Sequence, residues 1–434
     1  MTENNSLTET KNSKIKETKN VNEFENEIEK LGWVFGLDSV SALVEELKIK
    51  EDIPVIHVAG TNGKGSVCLM LSGIMKEANL KCGLYTSPAV FYTYESITIN
   101  GQAIEQDVYN DYMIRIKKAC EGVVERGISH PTAFEVKTAL AYKYFHDMKC
   151  DIIVFETGLG GSLDATNFIR KPICSVITEI GMDHTDILGD TIEDIAKAKA
   201  GIIKKGSTIF NAATDDKANS VIEKKAKELG ADYLKVCYNL SNDRSYKLKT
   251  PVECQKRNAH TSEIVAHFVL ERLTNMNSLG IEKTIRRGIE ECNFPGRFER
   301  ISDKPLVYID GGHNAQAVKE VAQTVLRLER EQNKKWVFIF GILKDKDYKT
   351  VLDEMCPLAE TFHIITVPNP RALDADIIKK EVLKRNTKAV VHENIEEAVD
   401  AALDEALGSD TCVLAFGSFY YLKYVKRAIK NGEI

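Results

Sequence analysis

The segment HVAGTNGKGSV, His57 to Val67, gathers three glycines, a lysine and two hydroxyls. Gly60, Gly63 and Gly65 permit tight turns that aim backbone N–H groups at phosphate oxygens, and a helix following them would point its positive end at the same place. Lys64 adds a mobile cation, flanked by Thr61, Asn62 and Ser66. The spacing departs from G-x-x-x-x-G-K-[ST], because Val58 stands where the first glycine would be and Gly65 separates Lys64 from Ser66. A plain strand-to-helix turn would explain the glycines but not the lysine and hydroxyls, so the segment reads as a phosphate-binding loop.

A second cluster, FETGLGGSLDATN from Phe155 to Asn167, puts Glu156 at the end of an expected strand. Ligands of open parallel sheets gather at the carboxyl ends of strands, where a carboxylate can hold a magnesium ion. Taken alone, Glu156 reads equally well as an exposed strand-end carboxylate. A third cluster, ITEIGMDHTDILGDTIEDIAKAKAGIIK, brings Asp183 and His184 out after another strand and sets Lys199 on a following helix. A lone histidine is more often a hydrogen-bonded structural residue than a ligand, and the acidic strand-end context narrows that preference without reversing it.

These clusters need rigid elements to position them. IPVIHVAG from Ile53 reads as a buried strand, and VCLMLSGIMKEA, Val67 to Ala78, has helical periodicity. Further strands are expected at 82–86, 151–156, 174–180 and 207–212, giving a parallel sheet covered by helices. Beyond Arg297, strands at 306–310, 336–341, 362–367, 389–393 and 413–417 alternate with helices, the pattern of a second, separately wound α/β domain. Phe294-Pro295-Gly296-Arg297 supplies the turn between them. The expected division is therefore a polar, disordered tail over 1–21, a domain carrying the phosphate-binding loop over 22–295 and a smaller Rossmann-like domain over 296–434.

The 434 residues suffice for two substantial cores, and 43% hydrophobic with 28% charged residues is ordinary for a globular protein. A net charge of −6 offers no general attraction for nucleic acid or anionic lipid, so phosphate recognition must be local. No apolar run approaches the ~20 residues needed to span a bilayer. Ten cysteines without a Cys-x-x-Cys pair, and no apolar signal segment near Met1, point to reduced thiols in the cytoplasm.

Taken together, the clusters resemble the folylpolyglutamate synthase/dihydrofolate synthase family of the Mur ligase superfamily. The resemblance runs from VFGLDSVSALVEEL at residue 34 to GSFYYL at 417–422. Between them lie GTNGKGS, YTSP (85–88), PTAFEVKTALAY (131–142), GLGGSLDATN, GMDHTDILGDT, KAGIIK (199–204), QKRNA (255–259), FPGRFE, IDGGHNAQA (309–317), FGILKDKD (340–347) and VPNPRAL (367–373). It implies an N-terminal P-loop-type ATPase domain with a parallel sheet and a smaller C-terminal Rossmann-like α/β domain. Gly60, Thr61, Asn62, Gly63, Lys64, Gly65 and Ser66, with Asn258, Arg297 and Asp310, would contact ATP. Ser66, Ser87, Glu156 and His184 would bind magnesium directly or through water. Lys199 matches a lysine that relatives carry as N6-carboxylysine, and His313 matches a histidine beside the phosphate and amino-acid side, so Lys64, Lys199 and His313 are the expected catalytic residues.

The implied reaction is ATP-dependent addition of L-glutamate to a folate or dihydropteroate carboxylate through an acyl phosphate, by a cytoplasmic monomer with no nucleic-acid or membrane partner. Departures bear on the substrate. SPAVFYTYESI stands where relatives commonly read SPHLVRFNERI, putting Ala89, Tyr92, Tyr94 and Ser96 at polar or basic positions. Ser162 replaces an arginine, and Ala198 a residue that is often glutamate. Arginine forks are preferred partners of carboxylates, so their loss weakens contacts to an anionic substrate. The alternatives are a related ligase acting on another carboxylic acid and a nucleotide-binding regulator without catalysis.

Overall fold

The computed structural model describes residues 18–32, 34, 36–238, 246–407 and 410–432. Most of the expected tail lies outside these residues. Residues 18–21, however, open a helix over 18–29 whose Val21, Phe24 and Ile28 are buried in the first core, so ordered structure begins before residue 22.

Two sheets form, as the two series of apolar runs require. The first comprises β1 (Val55–Ala59), β2 (Cys82–Tyr85), β3 (Ile97–Ile99), β4 (Gln102–Ala103), β5 (Ile152–Glu156), β6 (Cys174–Ile177), β7 (Thr208–Asn211) and β8 (Asp232–Lys235), in the order β4-β3-β2-β5-β1-β6-β7-β8. β1 is parallel to both neighbours and wholly buried. Its alternating side chains serve both faces: Val55 joins the cluster under helices Gln106–Glu125 and Ala133–Asp147, while Ile56 and Val58 face helices Lys64–Glu77, Cys254–Leu273 and Ser278–Glu290. The expected all-parallel sheet is extended at one edge by the antiparallel β3 and β4, short strands whose weak apolar runs gave no signal.

The second sheet comprises β9 (Glu299–Asp303), β10 (Leu306–Asp310), β11 (Lys335–Phe340), β12 (Thr361–Ile364), β13 (Lys388–Val391) and β14 (Thr411–Phe416), ordered β13-β12-β11-β14-β10-β9. Only β9 is antiparallel. Trp336, Phe338 and Phe340 fill one side and Val337 and Ile339 the other.

In the first sheet the chain lays β2 and β5 on one side of β1 and β6 to β8 on the other. That reversal opens a crevice at the carboxyl end of β1, the place where open α/β sheets receive ligands. The glycine loop leaves β1 there, Glu156 ends β5, and Asp183 and His184 follow β6. The carboxyl ends of β10 and β14 meet the same crevice, closing a cleft of 1020 Å³ between the two sheets.

Candidate active site

The glycine loop is shaped by two glycines that no other residue could replace in place. Gly63, the residue before helix Lys64–Glu77, has φ +89°, and a Cβ on it would lie 2.6 Å from Asn258 Oδ1. A Cβ on Gly60 would fall 1.9 Å from the Thr178 hydroxyl oxygen. That hydroxyl is buried and donates to Asn62 O at 2.8 Å, so it cannot step aside. The N–H groups of Thr61 and Asn62 donate to Glu179 O at 2.8 and 3.3 Å. The amides that begin the helix, from Gly63 to Ser66, are the ones a helix start leaves free to meet an anion.

Lys64 Nζ donates to Gly60 O at 3.0 Å and Thr61 O at 3.2 Å. Lys199, only 4% exposed, donates from beneath to the same Gly60 O at 2.8 Å. Burial, and then the nearby Lys64 charge, lower the Lys199 pKa to about 7. Much of it is therefore a neutral amine at physiological pH, the form that can react with carbon dioxide.

Glu156 is 3% exposed and accepts the Ser87 N–H on Oε2 at 3.2 Å. Burial raises its pKa, against the opposing charges of Lys64 and Arg297. Gly65 is the point where these groups converge, since a Cβ there would lie 2.2 Å from an Arg297 Nη2 and 3.5 Å from Glu156 Oε2. A buried carboxylate lining a cleft beside the Ser66 and Ser87 hydroxyls suits a hard divalent cation. Among the described residues no three His, Cys, Asp or Glu converge as a metal cluster. A cation here would complete its shell with waters and phosphate oxygens, as magnesium does.

His184 caps a short helix with φ +52°. Burial lowers its pKa to about 4, so it is neutral at pH 7, with Nε2 placed 3.3 Å from Lys346 Nζ. Its neighbour Asp183 meets the second domain. Burial would raise the Asp183 carboxyl, but His313 first and Lys346 after it outweigh burial and hold it well below the usual carboxylate range.

From the second domain, Asp310 at the end of β10 accepts the N–H groups of Phe298 at 2.8 Å and Gly312 at 2.6 Å. Burial nevertheless pushes its pKa up to about 6. His313 Nδ1 lies 2.9 Å from Gly311 O, and Arg297 Nη1 donates to Pro295 O at 2.9 Å. Asn62 and Asn314 exchange amide hydrogen bonds at 3.2 and 3.1 Å, joining the glycine loop to the second domain.

Thirteen of the sequence-derived site residues thus line one cleft: Thr61, Asn62, Gly63, Lys64, Gly65, Ser66, Ser87, Glu156, His184, Asn258, Arg297, Asp310 and His313. Gly60 and Lys199 form its floor without lining it. Of the departures, Ser96 lines the cleft and turns its hydroxyl to Thr93 O at 2.8 Å, whereas Ser162 is not among the lining residues and packs against Gly201. The residues that sequence reasoning passed over are Asn314, Gln316 and Lys346. All three lie in segments noted for resemblance, yet only the meeting of the sheets brings them to Asn62 and Asp183.

Residues 58–271 match the Mur ligase middle domain, and residues 296–419 match the Mur ligase glutamate ligase domain. The chain is 32% identical over 425 residues to the dihydrofolate synthase/folylpolyglutamate synthase of Bacillus subtilis, covering 92% of this chain and 96% of the relative. The structure of Escherichia coli FolC in complex with DHPP and ADP superposes with a TM-score of 0.81 at 27% identity, covering 95% and 98% of the two chains. The Yersinia pestis bifunctional enzyme complexed with AMPPNP and Mn ion gives 0.80 at 26% identity, covering 94% and 96%. With its glycine loop, buried glutamate and second-domain aspartate and histidine around one cleft, the chain belongs to the folylpolyglutamate synthase/dihydrofolate synthase family of Mur ligases.

Proposed function

We propose that this chain is an ATP-dependent ligase that joins L-glutamate to the carboxylate of dihydropteroate and of reduced folates, performing both additions. The observation that carries the reading is the cleft in which the glycine loop with Lys64 and the buried Glu156 of one domain face Asp310 and His313 of the other.

Amide formation from a free carboxylate is uphill in water, so the acid first needs a better leaving group. The substrate carboxylate attacks the γ-phosphate of ATP, giving an acyl phosphate and ADP. The glutamate amine then attacks the acyl carbon, expelling phosphate and losing a proton. Helix-start amides from Gly63 to Ser66 receive phosphate oxygens, and Lys64 exchanges its Gly60 and Thr61 carbonyls for the charge that develops on the transferred group. Glu156, Ser66, Ser87 and neutral His184 are suited to hold magnesium, which when bound neutralises phosphate charge. Asn258, Arg297 and Asp310 orient the nucleotide, and His313 lies toward the acceptor side.

Lys199, neutral in large part, becomes N6-carboxylysine by adding carbon dioxide at Nζ with loss of one proton. This puts an anion in place of one of the two amino groups that meet at the Gly60 carbonyl, close under the Lys64 charge. The division at 295/296, with the hinge at Pro295-Gly296, lets the second domain close over the first and exclude water. No helix among the described residues is long and apolar enough to cross a membrane. All ten cysteines are free, as thiols of a reducing compartment are, which fits our reading of a cytoplasmic enzyme acting as a monomer on small-molecule substrates.

Ser96, a serine facing its own backbone where a cation would meet an anionic acid, favours a second reading in which the acid is not a folate. Mass analysis of products formed from dihydropteroate and from tetrahydrofolate, each with ATP, magnesium and glutamate, separates these readings. Glutamylation of both supports the bifunctional assignment, and of neither, with ATP turnover on another acid, the second.

A further inference from the structure

The loop after β11 carries a lysine to which the ligation chemistry above gives no part. Lys346 has a side chain 7% exposed, and its Nζ donates to Asp183 Oδ1 at 2.7 Å across the domain boundary. The other Asp183 oxygen accepts from Asn314 Nδ2 at 3.0 Å and lies 3.6 Å from His313 Nε2. One carboxylate of the first domain is therefore gripped by three side chains of the second. Asn314 passes the contact on to Asn62 in the glycine loop, and Gln316 reinforces it by accepting from Asn62 Nδ2 at 2.8 Å.

A buried ion pair loses hydration at both ends and adds little net stability, but breaking it strands a buried charge, so the pair can fix register between the parts it joins. Here the partners sit on different domains, so the register being fixed is that of the second domain over the first.

We propose that Lys346 is a positioning residue that locks the second domain over the acyl phosphate. The inference rests on the ligase reading of this cleft. Lys346 holds Asp183, and Asp183 holds His313 and Asn314, so the lysine acts on the reacting atoms through others. An acyl phosphate has two fates. Attack by the glutamate amine expels phosphate and forms the amide, whereas attack by water expels the same phosphate and returns the acid, for net hydrolysis of ATP to ADP and phosphate. Loosening the lock admits water and misplaces the amine, so ADP is formed without amide. Binding of ATP, which depends mainly on the glycine loop, Asn258 and Arg297, is affected less.

The test uses the full chain with Lys346→Met, Lys346→Arg and Asp183→Asn, measuring ADP and amide in parallel together with KM for ATP and for glutamate. The Met variant is expected to raise ADP formed per amide by roughly 10-fold or more and to raise KM for glutamate, with KM for ATP within about 2-fold of the parent. Lys346→Arg should recover part of the coupling. Asp183→Asn should act in the same direction, and combining it with Lys346→Met should add little to the worse single change. A folded Met variant with the parent's ADP-to-amide ratio and glutamate KM would overturn the proposal. So would loss of folding in all three variants, which would make the pair a folding element. A parent enzyme that forms no amide from any acid offered would instead overturn the ligase reading.

Discussion

Glu156 is held between opposing forces: burial works against its charge, and Lys64 and Arg297 work for it. Removing a group that stabilises charge in a closed site typically costs ~2.7–4 kcal/mol of barrier, a factor of ~10²–10³ in rate. Lys64→Ala and Glu156→Ala are each expected to lose product formation by at least that factor while keeping the parent's circular dichroism. Near-parent turnover at saturating ATP and magnesium would remove either residue from the machinery. Lys199 yields a pH-dependent expectation. Its folded pKa of about 7 lies below the unbound value of 10.5, so the neutral amine that takes up carbon dioxide predominates above pH 7 and gives way to the ammonium below it. Carbon-13 NMR with labelled bicarbonate should show a carbamate signal in the parent at pH 8 that fades toward pH 6 and is absent from Lys199→Ala. A parent without that signal at pH 8 would leave Lys199 an ordinary amine. At this scale Lys64 was legible from residue type and placement after a strand, and Glu156 stood between two readings until the resemblance joined it to the other clusters, whereas the extent of the shifts at Lys199 and Asp310 was not legible, because desolvation depends on what covers a side chain.

The helix that begins at Lys64 is held by its crossing with helix Ser278–Glu290. A Cβ on Gly288 would lie 2.5 Å from Ile74 Cα, and one on Gly73 would lie 2.9 Å from Gly288 O. Backbone meets backbone there, so neither helix has a flexible side chain that could yield. Gly288→Ala should overpack the crossing and destabilise the protein by about 1–3 kcal/mol, read as a lower midpoint in urea, with a rise in KM for ATP as the start of the helix shifts. An unchanged midpoint would show that the helices can separate without loss. The parallel strands were readable because both faces of each are buried, giving unbroken apolar runs such as IIVFE and WVFIF. Short antiparallel strands at the margins of the sheets, β3, β4 and β9, owe their existence to a neighbour's free hydrogen-bonding edge, which no local pattern records.

The two domains are joined by more than the hinge. Val90 and Phe91 of the first domain pack into the second domain's apolar cluster beside Phe419 and Leu422, with Lys426 Nζ 4.0 Å from the centre of the Phe91 ring. Apolar contact here does part of the holding. Val90→Ala should cost about 2 kcal/mol, and its effect should fall on cooperativity between the domains as well as on total stability. Calorimetry should show one unfolding transition for the parent and a broadened or divided one for the variant. A variant that melts like the parent would show that the plug carries no load.

Sequence alone pointed to the reaction class through the ordered series of motifs, from GTNGKGS to VPNPRAL, that resembles one family, whereas local spacing by itself gave a phosphate-binding loop, a strand-end glutamate and a second series of strands. It determined the floor and walls of the cleft to the extent that these lie at strand ends, and it marked position 96 as one where a cation is missing. What only the tertiary structure decided is how the halves meet. Lys346 reaches Asp183, Asn314 reaches Asn62, and Lys64 and Lys199 share the Gly60 carbonyl. The first two contacts depend on two sheets turning the carboxyl ends of their strands toward a common space, and the third, wholly within the first domain, depends on the helix after β6 folding back beneath the glycine loop. Spacing reports what one element can do, and burial of a charge is a property of the elements that close over it.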